Sequence, residues 1–287
     1  MKLIQSKYML FFIFITAPIF AMDHIKFEKG QSHLDTRSRY KTEVIRQALE
    51  HTVENYGDYK ITTDAPIMNS LRARKHLETG KLLNVFIAVA DPNWESETIA
   101  IKIPVRKGLL NYRLLLIHKD DLPLFKNITT TDELKKLTVG LLFGWSITDT
   151  MEKQGFAIKK GNNYDGIFKM LDSHRFHYIP RGVNEIFGEL EQRKEILKNI
   201  VIEPNIVLHI PAPSYIFVSP KYPRIAKRLE EGLELMVKDG SFDALFHQYF
   251  DNNIKQADLN KRHIIKIDNP FTLKTAPLDR KELWFTP

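Results

Sequence analysis

The sequence predicts an α/β protein made of two units, and three observations carry that reading. Thr138–Gly155 (TVGLLFGWSITDTMEKQG) reads as a buried strand over Thr138–Phe143, a tight turn at Gly144 and Trp145, and a helix opening at Ser146. Leu82–Ala90 (LLNVFIAVA) is almost wholly apolar, as expected for a central parallel strand covered on both faces. Ahead of it the order is strand, helix, strand, helix, strand, which is a doubly wound half. At 287 residues the chain exceeds one typical core, so one large domain or two medium ones is expected.

In chain order, His24–Phe27 is a short strand candidate and the polar Glu28–Arg39 is irregular. Tyr40, Val44, Ile45, Ala48, Leu49 and Val53 repeat with helical period, predicting a helix over Ser38–Asn55 that Gly57 stops. Tyr59–Thr62 reads as a strand, Asn69–Thr79 as a helix ending at Gly80, and Ile99–Ile103 as a strand after a loop with Asp91, Pro92 and Trp94. Arg106-Lys107-Gly108 leads into a new strand, Tyr112–His118, and Thr130 with Glu133 forms a capping box.

The strand-turn-helix of Thr138–Gly155 follows. Ser146 and Asp149 read as an N-cap pair there, and the free N–H groups of such a turn suit an anionic or strongly polar ligand. An ordinary βα unit is the plainer alternative. Strands at Phe156–Lys159 and Phe176–Ile179 alternate with helices at Asp165–Asp172 and Asn184–Leu197. Pro211-Ala212-Pro213 separates strands at Ile206–Ile210 and Tyr215–Val218. An amphipathic helix, Ile225–Val237, breaks at Asp239-Gly240, and Ser241 caps a short aromatic helix with Phe242, Leu245, Phe246 and Tyr249. The tail Lys255–Pro287 reads as a surface strap with Ile264, Ile265, Ile267, Phe271, Leu273, Trp284 and Phe285 as its apolar points.

Composition narrows the class. Apolar residues make up 43% and charged residues 27%, the balance of a soluble globular protein. Lys2 and Lys7 precede the apolar run Tyr8–Phe20, which has signal-peptide length and is too short to span a bilayer; Ala21 is the expected last residue removed. Loss of residues 1–21 takes away two lysines and no acids, lowering the formal charge from +7 to +5. That charge is scattered, without a basic stripe and interleaved aromatics, so nucleic acid is not an expected partner. The chain has no cysteine, which excludes disulfides, thiol catalysis and thiolate-bound metal. His174 and His177 lie three apart, which in a strand points them to opposite faces, so no metal is expected. No Ser-His-Asp order, H-E-x-x-H helix or phosphate-binding P-loop is present.

From about Lys26 to Phe250 the order resembles the bacterial extracellular solute-binding proteins of family 3, the periplasmic amino-acid-binding type. The resemblance rests on SLRARKHLETGKLLNVFIA, ELKKLTVGLLFGWS and IAKRLEEGLELMVKDGSFDALFHQYF, while IPVRKGLLNYRLLLI and NPFTLKTAPLDRKELW mark a divergent branch. It implies a type II periplasmic binding fold of two α/β lobes. Lobe one would comprise residues 22–111 and 214–254, lobe two 112–213, and the extension 255–287 would pack on lobe one. Crossovers would fall near Leu110–Arg113 and Pro211–Ser214, with solute trapped between the lobes by hinge closure. The expected setting is a monomer in the periplasm, without cofactor, serving an inner-membrane transporter or a sensor.

Family members that bind amino acids hold the carboxylate with an Arg after the third lobe-one strand and the amine with an Asp at the end of a lobe-two strand. Here NWESETIA contains no Arg, and RFHYIPRG offers His177 and Arg181 but no Asp. Arg106 and Arg181 are instead the candidates to meet an anion from opposite lobes, since a guanidinium matches a carboxylate or phosphate bidentately. The alternative for each is a solvated surface charge. Trp145 is placed to stack on a planar ligand or to pack between lobes, and Ser146 and Thr148 to donate hydroxyl bonds. Asp91 and Trp94 sit where a strand opens into the cleft; Tyr215, at the presumed hinge, is as readily structural. Two other classes stay open: an exported enzyme on the same fold, such as a cyclic-acid dehydratase using His177 or Asp149, and an accessory protein that binds a partner through the tail.

Overall fold

The computed structural model describes residues 22–29, 35, 37–271 and 275–287; residues 1–21, where the sequence predicts a signal peptide, and Leu273 lie outside them. The first unit opens with β1 (Asp23–Lys26), α1 (Ser38–Glu50), α2 (Val53–Tyr56), β2 (Tyr59–Thr62), α3 (Ser70–Thr79), β3 (Val85–Val89), α4 (Pro92–Glu97) and β4 (Ile99–Ile101). The second unit runs through β5 (Tyr112–His118), α5 (Leu122–Phe125), α6 (Thr131–Lys135), β6 (Val139–Leu142), α7 (Ser146–Lys153) and β7 (Ile158–Gly161). It continues with α8 (Tyr164–Asp172), β8 (Tyr178–Gly182), α9 (Val183–Glu191), β9 (Ile200–Ile202) and β10 (Ile206–His209). The chain then returns to the first unit as β11 (Ser214–Val218), α10 (Pro223–Asp239) and α11 (Ser241–Ala257), and β12 (His263–Lys266) opens the tail.

Two sheets result. In the first, β11 lies between β3 and β4 and is antiparallel to both. The Leu82–Ala90 run is buried as its composition demands, but its partner is this late, reversed strand rather than a parallel neighbour. The parallel pair β1–β2 is stitched to the start of β3 by Asn84, whose side chain accepts from Lys26 N at 2.8 Å and donates to His24 O at 2.8 Å. The second sheet has the order β12-β10-β5-β8-β6-β7, with β9 also pairing β5.

Several boundaries differ from the sequence reading for local reasons. The helix expected over Ser38–Asn55 breaks near Thr52, whose hydroxyl donates back to Leu49 O at 2.8 Å. Such back-bonding competes with the helical ladder. The aromatic helix after Gly240 is long, Ser241–Ala257, because the outer face of α9 and the tail supply cover beyond Phe250. The Thr130–Glu133 capping box is present as read.

The tail divides between the units. Rather than packing wholly on the first, it adds β12 in parallel to β10 of the second sheet, where Ile265 and Ile267 complete a buried cluster with Leu115, Ile206 and Leu208. Its last residues return to the first unit: Leu283 is fully buried and Phe285 N donates to Lys107 O at 2.6 Å. No helix among the described residues is long and apolar enough to cross a membrane.

Candidate functional site

Two of the chain's passages between the sheets, after β4 and after β10, lie side by side, and between the units is a hollow of about 490 Å³. The first unit contributes Phe86–Trp94 and the second Phe143–Ile147 with Arg181 and Glu185. Arg106, Arg113 and Ser214 come from the crossings. The units touch across its mouth: a methyl group on Gly144 would lie 3.4 Å from Asn69 Nδ2 and 3.7 Å from Leu71 Cδ1.

Donors without acceptors converge on this hollow. Arg106 is 7% exposed and Arg113 3% exposed, and neither guanidinium has a hydrogen-bond partner among the described residues. Arg113 Nε, Ser214 Oγ and Trp145 Nε1 are buried polar atoms with none. Buried polar groups are normally paired, so a cluster of orphans around one space marks a place for something else. All four residues offer donors. Their positions follow from the backbone: Arg113 is the second residue of β5, opposite Gly182; Ser214 opens β11 opposite Val89; Trp145 precedes α7. Arg106 stands before Lys107 and Gly108, both at positive φ, so the crossing turns sharply where its guanidinium must be placed.

The surrounding charges are otherwise spoken for. Arg37 bonds Asp35 through Nε and Nη2, each at 2.7 Å, and Lys41 pairs with Glu28. Arg181 bonds Glu189 at 2.7 and 2.5 Å and reaches Glu185 at 3.0 Å. Glu185, which also pairs with Arg37 at 3.2 Å and with Arg181, is the acid whose field acts on both Arg106 and Arg113. Burial alone would raise the Glu185 pKa. Arg181, Arg37, Arg113 and Arg106 overcome that and hold it down to about 2. Burial lowers both unpartnered arginines, Arg113 to about 10, against the pull of Glu185.

Of the sequence candidates, Arg106, Trp145, Ser146, Asp91, Trp94 and Arg181 line the hollow. Arg181 is not free to hold an anion there, because two glutamates occupy it; its guanidinium carbon lies 4.3 Å from the Trp145 ring centre and fixes that indole instead. Asp91 Oδ1 accepts from Asn93 N and Trp94 N, capping α4, and Trp94 stacks on Phe86 at 5.5 Å. Ser146 begins α7 with its side chain exposed and makes no cap bond, since Trp145 occupies the N-cap position. Thr148 and Tyr215 do not line the hollow. The Thr148 hydroxyl donates to Leu142 O at 2.8 Å, and Tyr215 is buried in a cluster with Phe217. His177 Nδ1 accepts from Thr138 N at 2.9 Å, away from the hollow, whereas Asp149 lies on its rim. No group of acids and histidines among the described residues has the form of a metal site.

Arg113, Ser214 and Glu185 were not singled out from the sequence. The available signal was Arg113 itself, one charge inside the apolar run YRLLLIH. A larger cavity, about 920 Å³, lies behind the crossings between α1, α9 and α11. Arg37, Arg106 and Glu185 partition the two spaces. Arg113, Ser214 and Trp145 open only onto the smaller one, and the chemistry favours it.

This architecture is the two-lobed α/β fold of the type II periplasmic binding proteins. A structure of an ancestral arginine-binding protein bound to arginine is similar, with a TM-score of 0.56 and 16% identity over 79% of this chain and 98% of that one. An amino acid ABC transporter substrate-binding protein from Streptococcus pneumoniae, bound to L-arginine, gives 0.53 and 10% over 72% and 82%. A histidine kinase sensor domain with similarity to periplasmic binding proteins gives 0.58 and 12% over 80% and 96%. No protein-family model and no curated protein matches the sequence.

Proposed function

We propose that this protein captures a small anionic solute, an organic acid or an amino-acid-like acid, between its two lobes after export to the periplasm. It would then deliver that solute to an ABC-type transporter or report it to a membrane sensor. One observation carries the reading: two buried guanidiniums, a serine hydroxyl and an indole N–H, none with an acceptor among the described residues, surround one hollow between the units. Micromolar capture requires about 8 kcal/mol. Each charged hydrogen bond contributes about 1.5–3 kcal/mol, and the faces of Trp145 and Trp94 supply apolar contact. The similar structures include both transporter proteins and a sensor domain, which supports the two destinations equally.

Calorimetry of residues 22–287 against organic acids, amino acids and phosphorylated solutes tests this. Acids bind, their uncharged amides do not, and Arg106→Ala abolishes the heat while the fold is kept. Silence across the whole panel from a folded protein would overturn the proposal. Pairing each acid with its α-amino counterpart shows whether Asp149 on the rim holds an amine. Of the two groups that a catalytic reading would use, His177 accepts from the Thr138 amide away from the hollow and Asp149 lies on its rim, so turnover of a bound acid by the unmodified protein, lost in Asp149→Asn, is the outcome that would favour that reading.

A further inference from the structure

The tail enters the hollow. Asn269 and Phe271 line it together with Ser146, Asp149 and Asn93. Just before them the tail is fastened to the second lobe by the β12–β10 ladder, by Gln154 Nε2 donating to Asp268 O at 2.8 Å, and by Asn269. That side chain accepts from Thr150 Oγ1 at 2.9 Å and donates to Pro211 O at 2.7 Å. Just after them it is fastened to the first lobe. Thr275 Oγ1 lies 3.2 Å from a Glu95 carboxylate oxygen on α4, and Arg280 grips Glu234 of α10 through two bonds of 2.6 and 2.9 Å. The tail finally seizes Lys107, the neighbour of Arg106: its ammonium donates to Glu282 O at 2.6 Å, and a methyl on Gly108 would come within 2.8 Å of the Trp284 ring.

We infer that the C-terminal tail is a third wall of the solute hollow and a tether that limits how far the lobes separate. The inference rests on the proposed solute site for its first half and on geometry alone for its second. Phe271 would set the longest solute the hollow accepts. Five residues separate Asn269, the last fastening on the second lobe, from Thr275, so a fully extended chain spans at most about 22 Å between the two anchors. Wider opening detaches one of them. In the similar arginine-binding protein, where 98% of that chain is matched by 79% of this one, roughly a fifth of the present chain has no counterpart.

The test uses residues 22–287. Because the chain has no cysteine, Lys75→Cys and Lys153→Cys, one exposed position on each lobe, accept a dye pair without competition. The Phe271→Ala/Thr275→Ala double variant removes the cleft-side contacts and keeps Leu283–Phe285 in place; truncation after Ile267 removes the whole strap. Single-molecule energy transfer on the solute-free protein should give a narrow, short distance for the intact tail and a longer, broader one for the double variant. Unchanged distances in the folded double variant would refute the tether. Straight-chain dicarboxylates from malonate to suberate probe the wall. Phe271→Ala should shift the preferred length upward and speed release about tenfold, a change of about 1.4 kcal/mol. An unshifted length profile would refute the wall. Should the unmodified protein bind none of these acids, the solute proposal fails while the energy-transfer result still decides the tether.

Discussion

Arg113 concentrates the argument at the scale of one residue. It occupies a strand position that packing alone would give to an aliphatic side chain, and burial lowers its pKa to about 10 against the pull of Glu185 and, more weakly, of Glu189. A charge held out of water without a dedicated partner costs folding free energy that a bound anion returns. Arg113→Met should therefore raise stability by on the order of 1–2 kcal/mol and weaken acid binding at least ~30-fold, the opposite signs expected of a binding residue. Thermal unfolding and calorimetry on one sample check both. Glu185 titrates in the other direction. Its folded pKa of about 2 lies below the ordinary glutamate value of 4.5, so its stabilisation is complete above about pH 4.5 and is lost as pH falls through about 2. The contribution is on the order of 3 kcal/mol. Unfolding free energies measured by urea between pH 6 and 2 should fall in that window, and Glu185→Gln should flatten the fall.

Among the elements, α10 against α1 fixes the first lobe on which the hollow depends. Gly232 lies so close to α1 that a methyl group there would sit 1.9 Å from Ala48 O, a contact that backbone cannot relieve by rotating a side chain. One turn earlier, the fully buried Arg228 bonds Asp23 at 2.9 Å, Thr52 at 3.1 Å and Gly57 O at 2.7 Å, joining β1, the α1–α2 break and the start of β2. Gly232→Ala should cost about 3 kcal/mol through overpacking. Arg228→Met should cost about 1–3 kcal/mol because it takes one of two guanidiniums from the buried Asp23 carboxylate, with Arg224 Nε remaining at 3.2 Å, and removes the donor from the Gly57 carbonyl. Urea titrations of the two variants measure these losses; a change below about 0.5 kcal/mol for either would contradict the packing described.

Across the whole molecule, the proposed capture would make binding and lobe motion one equilibrium. A solute that contacts Arg106 and Arg113 at the hinge and Trp145 on the second lobe gains all its contacts only when the mouth is shut, so it shifts the population toward that state. Hydrogen exchange should slow at Phe143–Trp145 and at Asn69–Leu71, the two sides of the mouth, when a bound acid is added. Protection confined to β5 would mean that the solute sits at the crossings without drawing the lobes together.

What the sequence by itself determined is the local alphabet. Helical spacing in Tyr40–Leu49, the all-apolar Leu82–Ala90 run, the Thr130–Glu133 box and the Gly144 turn each encode their structure within a few residues, because propensity, capping and periodicity act at that range. The place of Arg106, Trp145, Ser146, Asp91 and Trp94 around the hollow was also legible, since each lies at a strand or crossing end where an α/β cleft forms. Tertiary structure alone decided the rest. Glu185 and Glu189 stand four and eight residues after Arg181 and reach it because the chain turns from β8 straight into α9, while Arg113 and Ser214 are left without acceptors among the described residues. The reversed pairing of β11 with β3, and the tail's passage from β10 to Glu95, join residues more than fifty positions apart. No periodicity within a short window records such contacts; they follow from which surfaces remain uncovered once the local elements have formed.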